Sequence, residues 1–411
     1  MILMTTTTVM PDYSEIQLRL IGLRESYSAR SGVAVRNSMA QLIQDLNDEL
    51  KAVDSSRHKT RVIKAMFKRI KALINHSIID AMNDELETVE AFLLSVADAE
   101  TVALGVGVNA VYVDPDRAAR VAASLKSVTA AKISAMTSGV KFQNQSLEQL
   151  ARGVSRATQN AVASTIRIGY LQDKSLPEIM KDIGGTSYRR KTGGTAKHPR
   201  YTTYYQGGLL SGKTTRDMNA VIRTGVKTIS NEVREEIWRV NGEVVKRVRY
   251  TSALDNRVTM FCMSHDGLEY SLDDPSRPSI PAHWGCRSDY IPIIRGEAMS
   301  DQTERAARSG RSGVDEDKVD SSTDKVWKKK LRTERDLVPG KDVKSFDDFL
   351  RGDYPGGKKQ PDWYIDDLMG KDRAAIYRNN KNVKVKDMMS RDNTEPLSIK
   401  QLNEKMERAT A

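Results

Sequence analysis

Two short clusters of residue types that bind zinc, Cys262 with His265 and His283 with Cys286, are the strongest chemical signal in the sequence. Their C-x-x-H and H-x-x-C spacings can close a tetrahedral site, because zinc binds thiolate sulfur and imidazole nitrogen. The chain has 2 cysteines in total, which excludes a disulfide framework. The alternatives are that the cysteines are buried thiols or form one bridge, and that His265 lies on the surface. The four residues are therefore candidate ligands of a structural zinc ion.

A second chemical pattern runs from Gly207 to Thr214, where G-G-L-L-S-G-K-T matches the phosphate-binding P-loop consensus. A working P-loop leaves a buried parallel strand, whereas the residues from Lys197 to Gln206 are polar and aromatic. An apolar strand that ends in a magnesium-binding Asp is also missing from the pattern. We therefore predict that this segment binds no nucleotide and that the protein is not an enzyme.

A long helix and a strand must position the Cys/His segment. Apolar residues recur at helical spacing from Thr214 to Asn241, and Val244–Thr251 alternates as a strand does. Asp266-Gly267 then predicts a hairpin turn. Extended backbone is predicted for the loop that carries Pro275, Pro278 and Pro281.

The N-terminal part is predicted to be helical. Apolar residues recur every three or four positions from residue 13 to about residue 100, with separate helices at Thr60–Ile74 and Ile78–Val96. Thr101–Val113 is rich in Val and Gly and predicts a short strand or loop. Later helices are predicted to begin at Asp114-Pro115, to span Leu147–Leu171 and to run from Ser175 to Gly184.

These patterns predict an α+β, mostly helical protein with a helical N-terminal region, a long central helix, a small β-containing Cys/His unit and a helical tail. A chain of 411 residues is too long for one compact core. The predicted divisions are a flexible N-terminus at 1–12, a helical region at 13–145, a core at 146–296 with the Cys/His unit at 250–294, a charged flexible linker at 297–344 and a small helical tail unit at 345–411.

The net charge of +11 is concentrated in one block of the chain. Residues 151–250 contain 19 basic and 8 acidic side chains, while residues 1–150 are neutral overall. Such a block can face a polyanion such as DNA. The alternative is a solvated surface beside an acidic partner protein.

Within this block, Thr186–Lys213 is predicted to be a long loop. Interleaved basic and aromatic residues can serve nucleic acid, because tyrosines stack on bases. An ordinary loop over a protein surface is the interpretation that we favour from the sequence. The residues concerned are Arg189, Arg190, Lys191, Lys197 and Arg200 with Tyr188, Tyr201, Tyr204 and Tyr205.

The Cys/His segment also carries a specific set of residues. Its first part contains Ser252, Leu254, Asp255, Arg257, Thr259, Cys262, Asp266 and Gly267, and its second part contains Pro281, His283, Cys286 and Arg287. This set resembles the head-morphogenesis family of tailed bacteriophages, the phage Mu F-like minor head proteins. The chain departs from the family pattern at Val258, which separates Arg257 from Thr259, and at Met260 and Ser288, where relatives carry further cysteines. A weaker likeness covers about residues 145–405.

The resemblance implies a minor capsid protein that is present in few copies inside the head, near the portal, and that assists head assembly, genome packaging or genome delivery. The implied partners are the portal protein, a major capsid or scaffolding protein, and packaged DNA at the basic block 151–250. We predict no membrane span, and location in the host cytoplasm during assembly and then in the virion. The alternative functions are a P-loop ATPase, a Cys/His hydrolase or a DNA-binding accessory protein.

Overall fold

A computed structural model describes residues 35–51, 60–172, 174–194, 199–254, 258–294, 345–354 and 357–410, together with Leu20, Arg24 and Tyr27. The predicted flexible N-terminus at 1–12 and the predicted linker at 297–344 lie outside these residues. The chain divides into two compact units. The hairpin unit comprises Arg24–Ser95 and Thr129–Glu232, and the sheet unit comprises Met1–Leu23, Val96–Val128 and Val233–Ala411.

The described part of the chain is mostly helical, with three small antiparallel sheets, which confirms the predicted α+β class. The helices are α1 (35–51), α2 (Thr60–Val111), α3 (Pro115–Ala123), α4 (Ala130–Gly139), α5 (Leu147–Leu171), α6 (Leu176–Gly184), α7 (Thr215–Val240), α8 (Met260–His265), α9 (Phe346–Arg351), α10 (Asp362–Met369), α11 (Lys371–Asn379) and α12 (Ile399–Thr410). A π-helix spans Leu209–Thr214 and a 3-10 helix spans Val385–Met388. The strands are β1 (Lys141–Phe142), β2 (Gln145–Ser146), β3 (Gly185–Gly194), β4 (Pro199–Gly207), β5 (Val245–Thr251), β6 (Glu269–Ser271) and β7 (Asp289–Ile294).

Helix α2 replaces two predicted helices and the strand or loop predicted at Thr101–Val113. That prediction was wrong because Val and Gly were weighed by propensity alone. Ala97, Leu104 and Val108 are fully buried at helical spacing, so packing outweighs the low helix propensity of Gly105 and Gly107. The prediction of a helix start at Asp114 is confirmed, because its side chain accepts a hydrogen bond from the Asp116 N–H.

Part of α2, Ala65–Val111, is long and apolar enough to cross a membrane, with a mean hydropathy of 1.6 over its best stretch. This finding differs from the prediction of no membrane span. Half of that stretch is buried inside the protein, as in the core helix of a globular fold. Glu100 on the same helix is fully buried and bonded to Arg234 and Trp238, so this part of α2 packs against protein groups.

The predicted loop at Thr186–Lys213 is instead an antiparallel hairpin of β3 and β4, followed by the π-helix. The prediction was wrong because the strands are polar and lack an apolar face. Two glycines close the base of the hairpin: a Cβ on Gly208 would lie 2.1 Å from the Gly185 nitrogen, and Gly185 itself has a φ of +89°. Only glycine fits both positions.

Strand β5 is the centre of the sheet unit and pairs antiparallel with β6 on one side and β7 on the other. All six residues of β7 are buried. The predicted strand at Val244–Thr251 and the predicted helix at Thr214–Asn241 are confirmed within one residue. Asp266-Gly267, however, does not join two strands directly, because it links the end of α8 to β6.

A buried ionic cluster ties three elements of the sheet unit together. Arg234 on α7 donates to Glu100 of α2 at 2.8 Å and to Asp289 of β7 at 2.6 Å, and all three side chains are 0% exposed. Trp238 donates to the second oxygen of Glu100 at 2.9 Å, and its ring lies 4.7 Å from the Arg234 guanidinium carbon. This cluster holds the sheet against the end of α7.

The helical tail shares one hydrophobic core with the Cys/His segment. Leu254, Met260 and Met263 belong to the same cluster of buried residues as the apolar side chains of α9 to α12. The sequence placed the tail in a separate unit after the linker. In the structure the tail packs directly around α8, the helix that carries Cys262.

Candidate metal centre

Cys262 is positioned by the first turn of α8. Thr259 caps that helix, because its hydroxyl accepts the Cys262 N–H at 3.3 Å. Ser252, at the end of β5, donates its hydroxyl hydrogen to the Cys262 carbonyl at 2.6 Å. The thiol side chain is buried, with 1% of the residue exposed.

His283 and Cys286 are brought together by a tight turn. The Cys286 N–H donates to the His283 carbonyl at 3.1 Å, and Gly285 within the turn has a φ of +70°. A turn of this kind places the two side chains of an H-x-x-C sequence close together. Strand β7 begins three residues after Cys286, so the sheet anchors this turn.

The ligand atoms of Cys262, His283 and Cys286 all lie within 4.8 Å of one another, so this group could hold a metal ion. The two sulfurs are 3.9 Å apart, and the Cys262 sulfur is 3.1 Å from His283 Nε2. Both cysteines are free thiols in the structure. Two sulfurs bound to one zinc at about 2.3 Å in a tetrahedron lie about 3.8 Å apart, so the sulfur spacing fits zinc.

The ring orientation of His283 also suits metal binding. Its Nδ1 lies 3.0 Å from the Trp284 carbonyl, which can only accept, so Nδ1 carries the hydrogen. The lone pair of Nε2 then points toward the Cys262 sulfur and the Thr259 hydroxyl. Histidine ligands of metals are commonly fixed in this way by a backbone carbonyl behind the ring.

Polar groups surround the thiol of Cys262. The Tyr250 hydroxyl donates to its sulfur at 3.3 Å. The pKa of the Cys262 thiol is raised, first by its hydrogen bond with Cys286 and second by burial. The pKa of His283 is raised as well, chiefly by hydrogen bonding to Cys286. A bound cation favours the thiolate form, so it would compete with these protons for the same atoms.

Three candidate ligands would leave a fourth coordination position open on a bound zinc ion. A small pocket beside the group is lined by Ala253, Val258, Gly285, Arg287 and Ser288. None of the described lining residues is a carboxylate. Asp255 and Arg257 do not belong to the part of the chain that the structure describes. Water or a ligand atom from a partner can therefore complete the coordination sphere.

His265, the fourth predicted ligand, does not join the group. Its Nδ1 lies 2.8 Å from the Phe261 carbonyl, and its ring packs 4.2 Å from the Phe261 ring. Asn393 of the tail lies 3.1 Å from both ring nitrogens. Burial lowers the pKa of His265, which favours the neutral ring. The helix turns by about 100° per residue, so Cys262 and His265 share a face but point to different neighbours.

We expect His265→Gln to leave zinc content unchanged and His283→Gln to abolish it, because only His283 lies beside the sulfurs. The measurement is the zinc-to-protein ratio of each purified variant by elemental mass spectrometry. The identical substitution at the two positions makes each variant the control of the other. Loss of zinc from His265→Gln in a folded protein would contradict the assignment.

The P-loop match from Gly207 to Thr214 does not have P-loop geometry. The segment begins at the last residue of β4, in a two-stranded antiparallel hairpin, and continues as the π-helix. Lys213 forms an ion pair with Asp217 one turn further on. Thr214, the position of the magnesium ligand in a P-loop, is buried 3.1 Å from the Thr158 hydroxyl. Of the glycines in the match, Gly208 closes the hairpin base and Gly207 has a φ of +81°, whereas Gly212 lies within the π-helix.

We therefore expect neither the unaltered chain nor Lys213→Ala to bind ATP measurably, because the described segment from Gly207 to Thr214 does not form a phosphate cradle. The exposed Lys213–Asp217 pair contributes at most about 0.5 kcal/mol to stability. Titration of a fluorescent ATP analogue with magnesium checks both proteins. Saturable binding that disappears in the variant would reinstate a nucleotide site.

Several supporting groups were not singled out from the sequence alone. Thr259 was named only as part of the family resemblance, although a Thr at the start of a short helix is a recognisable N-cap. Tyr250 and the Trp284 carbonyl had no sequence signal, because their roles depend on the pairing of β5 with β7 and on the turn at Gly285.

Comparison of the chain with models of protein families, with curated proteins and with solved structures found no match.

Proposed function

We propose that the chain is a minor head protein of a tailed bacteriophage, that it lies inside the capsid near the portal, and that a structural zinc ion holds its Cys/His unit. The supporting observation is that three members of the family-like set, Cys262, His283 and Cys286, lie together in one centre. They do so although Cys262 and His283 are 21 positions apart in the sequence.

Four further members of the set, Ser252, Leu254, Asp266 and Gly267, belong to the unit that carries this centre. Asp266 accepts the Ser252 N–H at 2.8 Å and so ties the end of α8 to the end of β5. Gly267 has a φ of +83°, which the turn into β6 requires. Leu254 is buried in the core shared with the tail. These four members serve one folded unit, which suits a structural role.

Zinc is the proposed metal because the ligands are two sulfurs and one imidazole nitrogen, which are zinc ligands in small structural units. The short distance from the Cys262 sulfur to His283 Nε2 implies that the imidazole moves outward by about half an ångström when zinc binds, to reach tetrahedral geometry. The ion would crosslink α8 to the turn before β7. That crosslink would stabilise a unit whose loop from Leu272 to Ser288 has no helix or strand.

An open fourth position is also found in catalytic zinc sites, so a hydrolase is the second candidate. Such an enzyme needs a general base within hydrogen-bond reach of the bound water. The described lining supplies Arg287 and Ser288 but no carboxylate and no further histidine. We therefore favour the structural role, in which the protein is not an enzyme.

The experiment for this proposal is co-expression of the tagged chain with the portal and major capsid proteins of the same phage. We expect the portal protein to co-purify with the chain after nuclease treatment. The control is the same experiment without the portal gene. If the chain purifies alone from both cultures, the minor-head proposal is wrong and the DNA-binding or enzymatic alternatives take its place.

A further inference from the structure

The described part of strand β3 in the hairpin has polar residues exposed on both faces. Ser187, Tyr188 and Arg189 are consecutive in β3, and all three are exposed. Consecutive strand residues point to opposite faces, so neither face of this part of the ribbon is covered. A two-stranded ribbon without a covered face is at best marginally stable alone. A bound partner would stabilise it.

The charge of the segment indicates what that partner is. Between Asp182 and Asp217 the chain has no acidic residue, in a protein with 54 of them. The same interval contains seven cations: Arg189, Arg190, Lys191, Lys197, Arg200, Lys213 and Arg216. An uninterrupted positive segment attracts a polyanion much more than it attracts an ordinary protein surface.

Aromatic rings are held among these cations. Tyr188 stacks on its cross-strand partner Tyr204 at a centroid distance of 5.7 Å. The Arg189 guanidinium lies 5.1 Å from the ring of Tyr201. Tyr188 and Tyr201 remain 44% and 48% exposed. Stacking holds the rings and the guanidinium in place, which lowers the entropy cost of binding.

From this ribbon we infer that the β3–β4 hairpin is a contact element for double-stranded DNA. The hairpin enters a groove of the duplex and binds the flanking phosphates. An antiparallel two-stranded ribbon has the width that the major groove admits. The cations would contact DNA phosphates, and the tyrosine hydroxyls would form hydrogen bonds to the sugar-phosphate backbone of the DNA. Contacts of this kind bind DNA without reading its sequence. The inference rests on the proposed function only in that packaged DNA is the duplex that the hairpin would meet.

The sequence alone favoured an ordinary surface loop at these residues. The change of interpretation comes from the strand pairing: seven residue pairs from Gly185 to Lys191 align β3 with β4 in one register, and two more follow after a register shift. A covering loop would follow the protein surface, whereas the strands pair mainly with each other.

The test uses the full chain and a fluorescein-labelled random-sequence duplex of about 30 base pairs, roughly three helical turns. Binding is measured by anisotropy between about 50 and about 200 mM salt. The test variant combines Arg189→Gln, Arg190→Gln and Lys191→Gln. The matched control combines Lys141→Gln, Arg156→Gln and Lys181→Gln, which removes the same charge from exposed positions of the same unit.

We expect the hairpin variant to bind the duplex about 10- to 100-fold more weakly. The slope of log affinity against log salt concentration should become less negative by about 2 to 3. The control variant should change by less than about threefold, because only long-range charge is lost. Equal loss in the two variants, or no binding by the unaltered chain, would overturn the inference. Preference for a single strand of the same length would overturn the duplex as occupant.

A second variant guards against misfolding and separates this inference from the proposed function. Residues 188–204 are replaced by Asn-Gly, so that a two-residue turn joins Ser187 to its partner Tyr205. This shortened chain should still co-purify with the portal and lose DNA binding. DNA binding that survives the shortening overturns the hairpin inference, and loss of the portal from both proteins contradicts the proposed function instead.

Discussion

Arg234→Met is expected to lower the free energy of unfolding by about 3–5 kcal/mol. Methionine fills a similar volume but leaves the carboxylates of Glu100 and Asp289 buried without the guanidinium that lies between them. A buried carboxylate without its cation carries a desolvation cost that the native contacts had offset. Urea denaturation followed by circular dichroism measures the difference.

Arg239→Met on the same helix is the matched control. Arg239 is 58% exposed and pairs with Glu235 and Glu236 at the surface, so its loss should cost less than about 1 kcal/mol. Arg234→Lys should fall between the two, because one ammonium group cannot bond in both directions with the fixed geometry of a guanidinium. If Arg234→Met and Arg239→Met have equal stability, the buried cluster does not hold the sheet.

Cys262→Ser and Cys286→Ser are each expected to abolish zinc binding and to destabilise the sheet unit. Each sulfur is one of three candidate ligands, and the two are 3.9 Å apart across the site. At free zinc of about 100 times its dissociation constant, binding stabilises the folded state by about 2.7 kcal/mol, which the variants would lose. Thermal unfolding with and without a chelator measures this contribution, with reductant present throughout.

The unaltered chain should lose thermal stability on chelation, while the two serine variants should be insensitive to it. His265→Gln serves as the control that keeps the site, since it should respond to chelation as the unaltered chain does. Two outcomes would show that the cysteines are buried thiols only: a chain purified without zinc, or a melting temperature that chelation leaves unchanged.

The sequence predicted the helices and strands that have an apolar pattern. Thr215–Val240 and Val245–Thr251 bury one face, so their spacing was readable. The β3–β4 hairpin was missed because its strands are polar and carry no period in hydrophobicity. The continuous helix α2 was missed because burial of Leu104 and Val108 decides its conformation, and local propensity does not.

All four candidate zinc ligands were chosen from their types and spacing, and the structure brings three of them, Cys262, His283 and Cys286, together. His265 was included because C-x-x-H spacing is common in zinc sites, and no sequence pattern shows that Asn393, more than a hundred residues later, lies beside its ring. The same distance in sequence hid the packing of the tail around α8. Long-range contacts of this kind depend on the tertiary fold.

The most direct test of the proposed function is quantitative mass spectrometry of purified heads that were assembled by co-expression with and without the portal protein. The minor-head proposal predicts a few copies of the chain per head when the portal is present and almost none when it is absent. A chain that is missing from portal-containing heads, or present equally in both preparations, would contradict it.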